Sequence, residues 1–185
     1  MNFYLFTKTN WDEAPRIRHQ LARLLIRYDN NVFFFQKPTS FINNTLEIND
    51  LDGITLLRHN ELFHHQLRPT KFFQKLNANI NKIKISKLLK YIPSPDVIIN
   101  FNYDYYFLKK IFPSTPLITL LNDDFVGMSK PWMKREAKRV LSQTVELSNH
   151  TLTVSNYIKD CLYPEKKMKL FLPWSEVGYI KPQDQ

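Results

Sequence analysis

Asn122, Asp123 and Asp124 place a side-chain amide directly beside two carboxylates. A carboxylate can orient a hydroxyl group or take its proton, provided burial or neighbouring groups raise its proton affinity. Asp123 and Asp124 are therefore the candidate catalytic residues, and Asn122 a candidate binding residue. A plainer role is open to Asp124 and Ser129, either of which can cap a following helix. Other chemistries lack their residues. Only Gly53, Gly127 and Gly178 are glycine, so neither a dinucleotide fingerprint nor a Walker loop is present. His59, His64 and His65 diverge on any regular element, and no thiol or carboxylate pattern completes a metal site around them. A GxSxG nucleophile elbow is also missing.

The elements that must position these residues are readable from apolar runs. Leu117–Leu121 (LITLL) has no alternation, which marks a strand buried on both faces of a parallel sheet, and ligand crevices lie at the carboxyl ends of such strands. Asn2–Thr7 and Val32–Gln36 read as two further strands. Between them Ile17, Leu21, Leu24, Leu25 and Tyr28 share one face of a helix with Asp12 as N-cap, completing a βαβ unit. Gly53–Leu57 is expected as a third strand, with Leu46–Ile48 as a short partner. Val97–Phe101 is the fourth strand, followed by a short helix over Tyr103–Phe112. After Leu117–Leu121 come a long helix over Pro131–Leu147, a strand at Thr151–Val154, a helix over Asn156–Leu162 capped by Ser155, and a last strand at Lys169–Leu172. Alternation of this kind predicts an α/β class, a three-layer Rossmann-like domain with a mostly parallel, doubly wound sheet. The expected domain covers 1–177, with 178–185 the start of a linker or tail.

A chain of 185 residues, 43% of them hydrophobic, can bury one full core. Its net charge of +9 implies an anionic partner: nucleic acid, a phosphate-bearing substrate or an acidic membrane surface. A single cysteine, Cys161, fits a reducing, cytoplasmic setting. No apolar run approaches the roughly 20 residues of a bilayer span, and no signal segment opens the chain. Leu62 to Pro95 contains no acidic residue but seven Lys or Arg, and Ile80, Ile83, Lys84, Lys87, Leu88 and Tyr91 have helical spacing. A basic amphipathic helix is expected within 71–92. Its lysines are either a solvated face or, through Lys82, Lys84, Lys87 and Lys90, a contact with an anionic membrane. Phe33, Phe34, Phe35, Phe72 and Phe73 sit in runs that suit burial better than base stacking, so nucleic acid is the weaker partner class.

Four stretches resemble the N-terminal, acceptor-side domain of GT-B glycosyltransferases, especially the family-4-like enzymes of bacterial cell-surface polysaccharide synthesis. Trp11–Leu25 is similar to the family's first loop and helix, and LITLLNDDF to its strand ending in His-Asp. LTVSNYIKDCL and Lys169–Val177 (KLFLPWSEV) are similar to its later Ser-containing segment and to the lead into its second domain. Two departures stand out: Asn122 occupies the position where the pattern often has His, and Trp174-Ser175 the position of its Asn-Gly. The family's paired glutamates of the donor lobe are also missing. The resemblance implies one lobe of an enzyme, with no cofactor held in this chain. The sugar-nucleotide donor would be bound by a C-terminal donor-binding domain or a partner subunit, and the acceptor would be a glycan or lipid-linked molecule.

Loops after the first, fifth and sixth strands open on one edge, bringing Trp11, Glu13 and Arg16 near Asn122, Asp123, Asp124 and Ser155. On the glycosyltransferase reading Arg16 and Arg18 hold a phosphate, Trp11 stacks on a sugar, and Asp123 orients the acceptor hydroxyl or acts as base. Localisation would be cytoplasmic, peripheral on the inner membrane face. Two other classes stand beside it: a basic α/β nucleic-acid-binding module, and a flavodoxin-like signalling domain. The latter normally carries an acidic pair after its first strand, where this chain has Thr7-Lys8-Thr9.

Overall fold

Strand-forming aromatic and β-branched residues build the centre of the molecule, and helices with one apolar side close its two faces. A computed structural model describes residues 1–40, 47–61, 70–159 and 168–171. The strands are β1 (Asn2–Phe6), β2 (Asn31–Phe35), β3 (Thr39–Ser40), β4 (Glu47–Leu51), β5 (Ile54–Arg58), β6 (Asn60–Glu61), β7 (Val97–Asn100), β8 (Leu117–Leu121), β9 (His150–Thr153) and β10 (Met168–Leu170). Helices are α1 (Ile17–Arg27), α2 (Lys71–Leu88), α3 (Leu108–Ile111) and α4 (Lys134–Leu147), the last entered through a 3₁₀ turn at Pro131–Met133. Eight strands form one sheet in the order β10-β9-β8-β7-β1-β2-β5-β4, and β3 pairs with β6. Every pairing in the large sheet is parallel except β4 with β5. This is the α/β, Rossmann-like architecture that the alternation of elements predicts.

Strand order runs outward from β1 in one direction through β2 and β5, then resumes from β1 in the other through β7, β8 and β9. Between β1 and β7 the connections therefore diverge to opposite sides, opening a crevice above the carboxyl ends of those two strands. β8 lies inside the sheet between β7 and β9, as expected for Leu117–Leu121.

One face of the sheet buries Tyr4, Phe6, Phe33, Phe35, Ile98 and Leu117 against α2, α3 and α4, and the rings of Phe6 and Phe35 stack with centroids 4.0 Å apart. The opposite face buries Leu5, Val32, Phe34, Ile54, Ile99 and Leu120 beneath α1. Adjacent residues of each strand thus serve different layers, which is why the runs read as continuously apolar.

Several details depart from the sequence reading. α1 begins after Arg16, not Asp12: His19 Nδ1 accepts the Arg16 amide at 3.0 Å, so the cap comes from within the helix. Ile17, Leu21 and Leu25 pack against the core as their spacing predicts, with Arg18, His19 and Ala22 buried beside them, while Tyr28 is exposed. The helix expected over Tyr103–Phe112 is confined to Leu108–Ile111, because Phe101, Tyr105 and Phe107 leave the strand as an aromatic plug in the core instead of a helical face. On α2 the sheet takes Ala78, Ile85 and Leu88, leaving Ile83 outside, and Tyr91, past the helix end, is exposed. Phe72 is likewise exposed, contrary to the burial expected for that aromatic pair. Leu46, residues 160–162 of the helix after Ser155, Leu172 of the last strand, the lead into a second domain beyond it and the 178–185 tail lie outside the described residues.

Candidate functional site

The crevice between β1 and β7 is lined by what each strand releases at its carboxyl end. β1 ends in Thr7-Lys8-Thr9, β7 in Phe101-Asn102-Tyr103-Asp104, β8 in Asn122-Asp123-Asp124 and β9 in Val154-Ser155. Hydrogen bonds fix these exits. Thr7 Oγ1 donates to the Phe35 carbonyl at 2.9 Å, Asn102 Nδ2 to the Phe6 carbonyl at 3.0 Å, and Asn100 Nδ2 to the Asn102 carbonyl at 2.8 Å. Side-chain amides thus take over where the sheet ladder stops, which is how a loop so close to the core avoids stranded backbone groups. Lys8 Nζ meets Asp104 Oδ1 at 2.7 Å directly across the crevice.

α1 contributes the cationic wall. Arg18 is 7% exposed and donates from Nη1 to Thr9 Oγ1 at 2.6 Å, with its guanidinium 5.6 Å from the centre of the Phe101 ring. Its Nε is buried with no hydrogen-bond partner. Burial and the neighbouring charge of Arg16 pull Arg18 below its ordinary pKa, while Asp123 and Glu13 act in the opposite direction. An arginine in this position remains cationic and keeps a donor available for an anion or a sugar oxygen. Asn122 supplies the complementary group, since its Oδ1 is also buried without a partner.

The expected site residues divide into those free to act and those with local work. Asp123 is exposed at the β8 exit and lies within electrostatic reach of Arg18. Asp124 turns back on its own loop: Oδ1 accepts the Gly127 amide at 2.8 Å, closing the turn after β8. Ser129 donates to the Phe125 carbonyl at 2.7 Å within that segment. Ser155 Oγ accepts the Tyr157 amide at 3.1 Å, in the capping role its position suggests. Glu13 accepts the Asn10 amide at 3.1 Å and sits 3.8 Å from the exposed Arg16.

Trp11 stands slightly apart. Its ring packs edge-on to Phe34 and tilted against His19, with the Arg23 guanidinium 5.5 Å from its centre. It borders a groove of about 270 Å³ running beside α1, lined also by Arg23, Ile26, Arg27, Asp52 and Ile54. None of the β8 or β9 exit residues lines that groove.

Sequence reasoning missed Lys8, Asn102, Asp104 and His19. The signal that could have found Lys8 and Asp104 is positional: each stands within a few residues of the end of a strand flanking the expected reversal of strand order.

No protein-family model and no curated protein matches the sequence. Solved structures do match in fold. Sucrose-phosphate synthase from Thermosynechococcus elongatus superposes with a TM-score of 0.67 at 8% identity, over 92% of this chain and 47% of that one. An α,α-trehalose-phosphate synthase (UDP-forming) from Burkholderia vietnamiensis gives 0.60 at 10% identity, over 92% and 47%. A structure from E. coli, described as trehalose-6-phosphate bound with UDP-2-fluoro glucose, gives 0.59 at 11% identity, over 95% and 49%. These neighbours are GT-B glycosyltransferases, so the fold is a GT-B-type Rossmann-like domain, and the chain spans about half the length of each.

Proposed function

We propose that this domain is the acceptor-binding lobe of a sugar-nucleotide-dependent glycosyltransferase. The observation that carries the reading is the buried Arg18, with an unpartnered Nε and within electrostatic reach of Asp123, at the strand-order reversal of a GT-B-type domain. A buried cation kept short of one hydrogen bond costs stability unless a ligand completes it. In the proposed mechanism Arg18 and Arg16 hold an acceptor phosphate, and Asn122 Oδ1 accepts a hydrogen bond from an acceptor hydroxyl. Asp123 orients the reacting hydroxyl and takes its proton as the acceptor oxygen bonds to the donor's anomeric carbon and the nucleotide diphosphate departs. Asp124 supports this chiefly by shaping the loop that presents Asp123. Ser155 and Glu13 close the rim, and Trp11, in the groove beside α1, stacks on a more distant sugar of the acceptor.

The donor is held outside this chain, by a C-terminal donor-binding domain or a partner subunit. A glycan or lipid-linked acceptor for cell-surface polysaccharide or lipopolysaccharide, reached from the cytoplasmic face, fits the basic charge and the family-4-like stretches noted above.

The test is a titration of ¹⁵N-labelled protein with sugar phosphates such as glucose 6-phosphate, and separately with sugar nucleotides. Sugar phosphates should shift resonances of Arg18, Asn122, Asp123 and Ser155, and Arg18→Met should abolish the response. Submicromolar binding of a sugar nucleotide by this chain alone would assign the lobe wrongly. Silence of Arg18 and Asp123 towards every sugar phosphate would remove the phosphate-holding role.

A further inference from the structure

Helix α2 carries apolar groups on both its inward and its outward side, with polar groups among the inward ones. Towards the sheet it places Gln74, Asn77 and Asn81 among Ala78, Ile85 and Leu88. Towards solvent it exposes Phe72 at 74%, Leu76 at 39% and Ile83 at 58%. At 100° per residue these three positions fall within about 40° of one another, so they form one stripe along the helix. Lys75 and Lys82 border the stripe on one side and Lys87 on the other, all exposed. Lys90 and an exposed Tyr91 follow the helix end.

The neighbouring helix is basic as well. Arg139 Nη2 donates to Gln74 Oε1 at 2.6 Å and Gln74 Nε2 to Gln143 Oε1 at 2.7 Å, tying α4 to the inward side of α2. α4 turns Lys134 and Arg135 outward. Its acidic residues lie apart from them: Glu136 is paired to Arg139 at 2.8 Å, and Glu146 stands at the opposite end of the helix. No Asp or Glu occurs anywhere from residue 62 to 95.

We propose that the outer face of α2 seats in the headgroup region of an anionic bilayer, with Phe72, Leu76 and Ile83 entering the acyl boundary and the flanking lysines on lipid phosphates. A merely solvated face needs no aliphatic stripe, and a second copy of this chain would bring lysines against lysines. Nucleic acid has no use for Leu76 and Ile83. An anionic bilayer satisfies both chemistries along the helix's length of about 27 Å. The surface differs from the expected lysine set: Lys84 is half-buried and lies off the stripe, and Lys75 takes a place beside it. The inference goes beyond the sugar-transfer reading and does not depend on it.

Co-sedimentation of the 185-residue chain with mixed phosphatidylcholine–phosphatidylglycerol vesicles, and with phosphatidylcholine alone, tests it without any sugar readout. Binding is expected only to the anionic vesicles, and it should weaken with salt. Phe72→Ser/Leu76→Ser/Ile83→Ser should lower the partition coefficient by about tenfold or more while circular dichroism stays unchanged. Lys75→Glu/Lys82→Glu/Lys87→Glu should do the same. In an independent arm, Phe72→Trp should show blue-shifted emission, quenched by brominated acyl chains. A parent that ignores anionic vesicles, a triple-serine variant that binds as well as the parent, or an indole at position 72 that stays unquenched would each overturn the proposal. Parent self-association that the serine changes abolish, with no vesicle binding, would make the stripe a self-contact instead.

Discussion

Lys8 Nζ and Asp104 Oδ1 lie 2.7 Å apart, joining the exits of β1 and β7 at the point where the strand order reverses. The Asp104 side chain is almost fully buried, and Lys8 is three-quarters covered beneath the contact, its ammonium 4.8 Å from the centre of the Tyr105 ring. The pair ties together the two halves of the sheet that diverge from this crevice. Removing Lys8 alone leaves a buried carboxylate with its main counter-charge gone. Lys8→Met should therefore cost about 3 kcal/mol in urea unfolding, and Lys8→Met/Asp104→Leu should recover most of that loss. A single-variant cost below about 0.5 kcal/mol would place the pair among ordinary surface contacts.

His19 gives the fold an acid-sensitive point. Burial lowers its pKa from the ordinary histidine value; the Asn10 carbonyl works against this, the Arg18 and Arg23 charges add to it, and Glu13 opposes them. The hydrogen bonds agree with a neutral ring, since Nδ1 accepts the Arg16 amide and Nε2 is left to donate to the Asn10 carbonyl at 3.1 Å. With the folded pKa below the unfolded value of about 6.5, the unfolded chain binds more protons in the interval between them. Stability from His19 is complete above about pH 6.5 and is lost progressively as pH falls below it. Urea midpoints measured across this range should fall more steeply for the parent than for His19→Gln. Parallel profiles would assign the acid sensitivity to another group.

What the sequence made legible follows from range. β1, β2, β5, β7 and β8 are each set by a local apolar run, and their burial on both faces needs no knowledge of partners. Asp123 and Ser155 were placed at strand ends by the same local reading. Lys8 and Asp104 are 96 positions apart, and only the strand order brings them together. Periodicity also captured only part of what a helix buries. Ile17, Leu21 and Leu25 of α1 pack against the core as their spacing predicts, yet Arg18 and His19 are buried as well, because Thr9, Asn10 and Arg16 supply their hydrogen bonds. α2 has apolar residues on two sides, and periodicity alone does not say which of them the sheet will cover.

Gly127 and Asp124 form a small cooperative unit. A Cβ at position 127 would stand 2.2 Å from Asp124 Oδ2, so the carboxylate must swing away and give up the 2.8 Å bond it accepts from the Gly127 amide. Gly127→Ala and Asp124→Ala should each cost about 1 kcal/mol, because both remove the same turn-closing bond. The double variant should cost little more than either alone, which thermal or urea unfolding of all four proteins will measure. Additive costs would mean that the two residues act separately. Asp123→Asn serves as the contrast, since it changes an exposed group and should leave unfolding within about 0.5 kcal/mol of the parent.

Asn81 sits on the inward side of α2 with no solvent exposure, and neither its Oδ1 nor its Nδ2 has a hydrogen-bond partner. Asn77 Oδ1, one turn earlier, is in the same condition. An amide removed from water without replacement bonds costs about 1–3 kcal/mol on mutational scales, and leucine keeps the same forked side-chain shape, with bulkier methyl ends, while adding apolar burial. Ile85 and Leu88 already hold this side of the helix against Tyr4, Phe6 and their neighbours, so a leucine at position 81 extends an existing apolar contact. Asn81→Leu should therefore stabilise the domain by about 1–2 kcal/mol and raise its melting temperature by several degrees. Because the change lies on the inward face, the exposed stripe of Phe72, Leu76 and Ile83 keeps its position, and vesicle binding should stay as in the parent. A destabilised Asn81→Leu would show that the buried amide is satisfied in the folded protein, and the polar interior of α2 would then count as a fixed part of its packing.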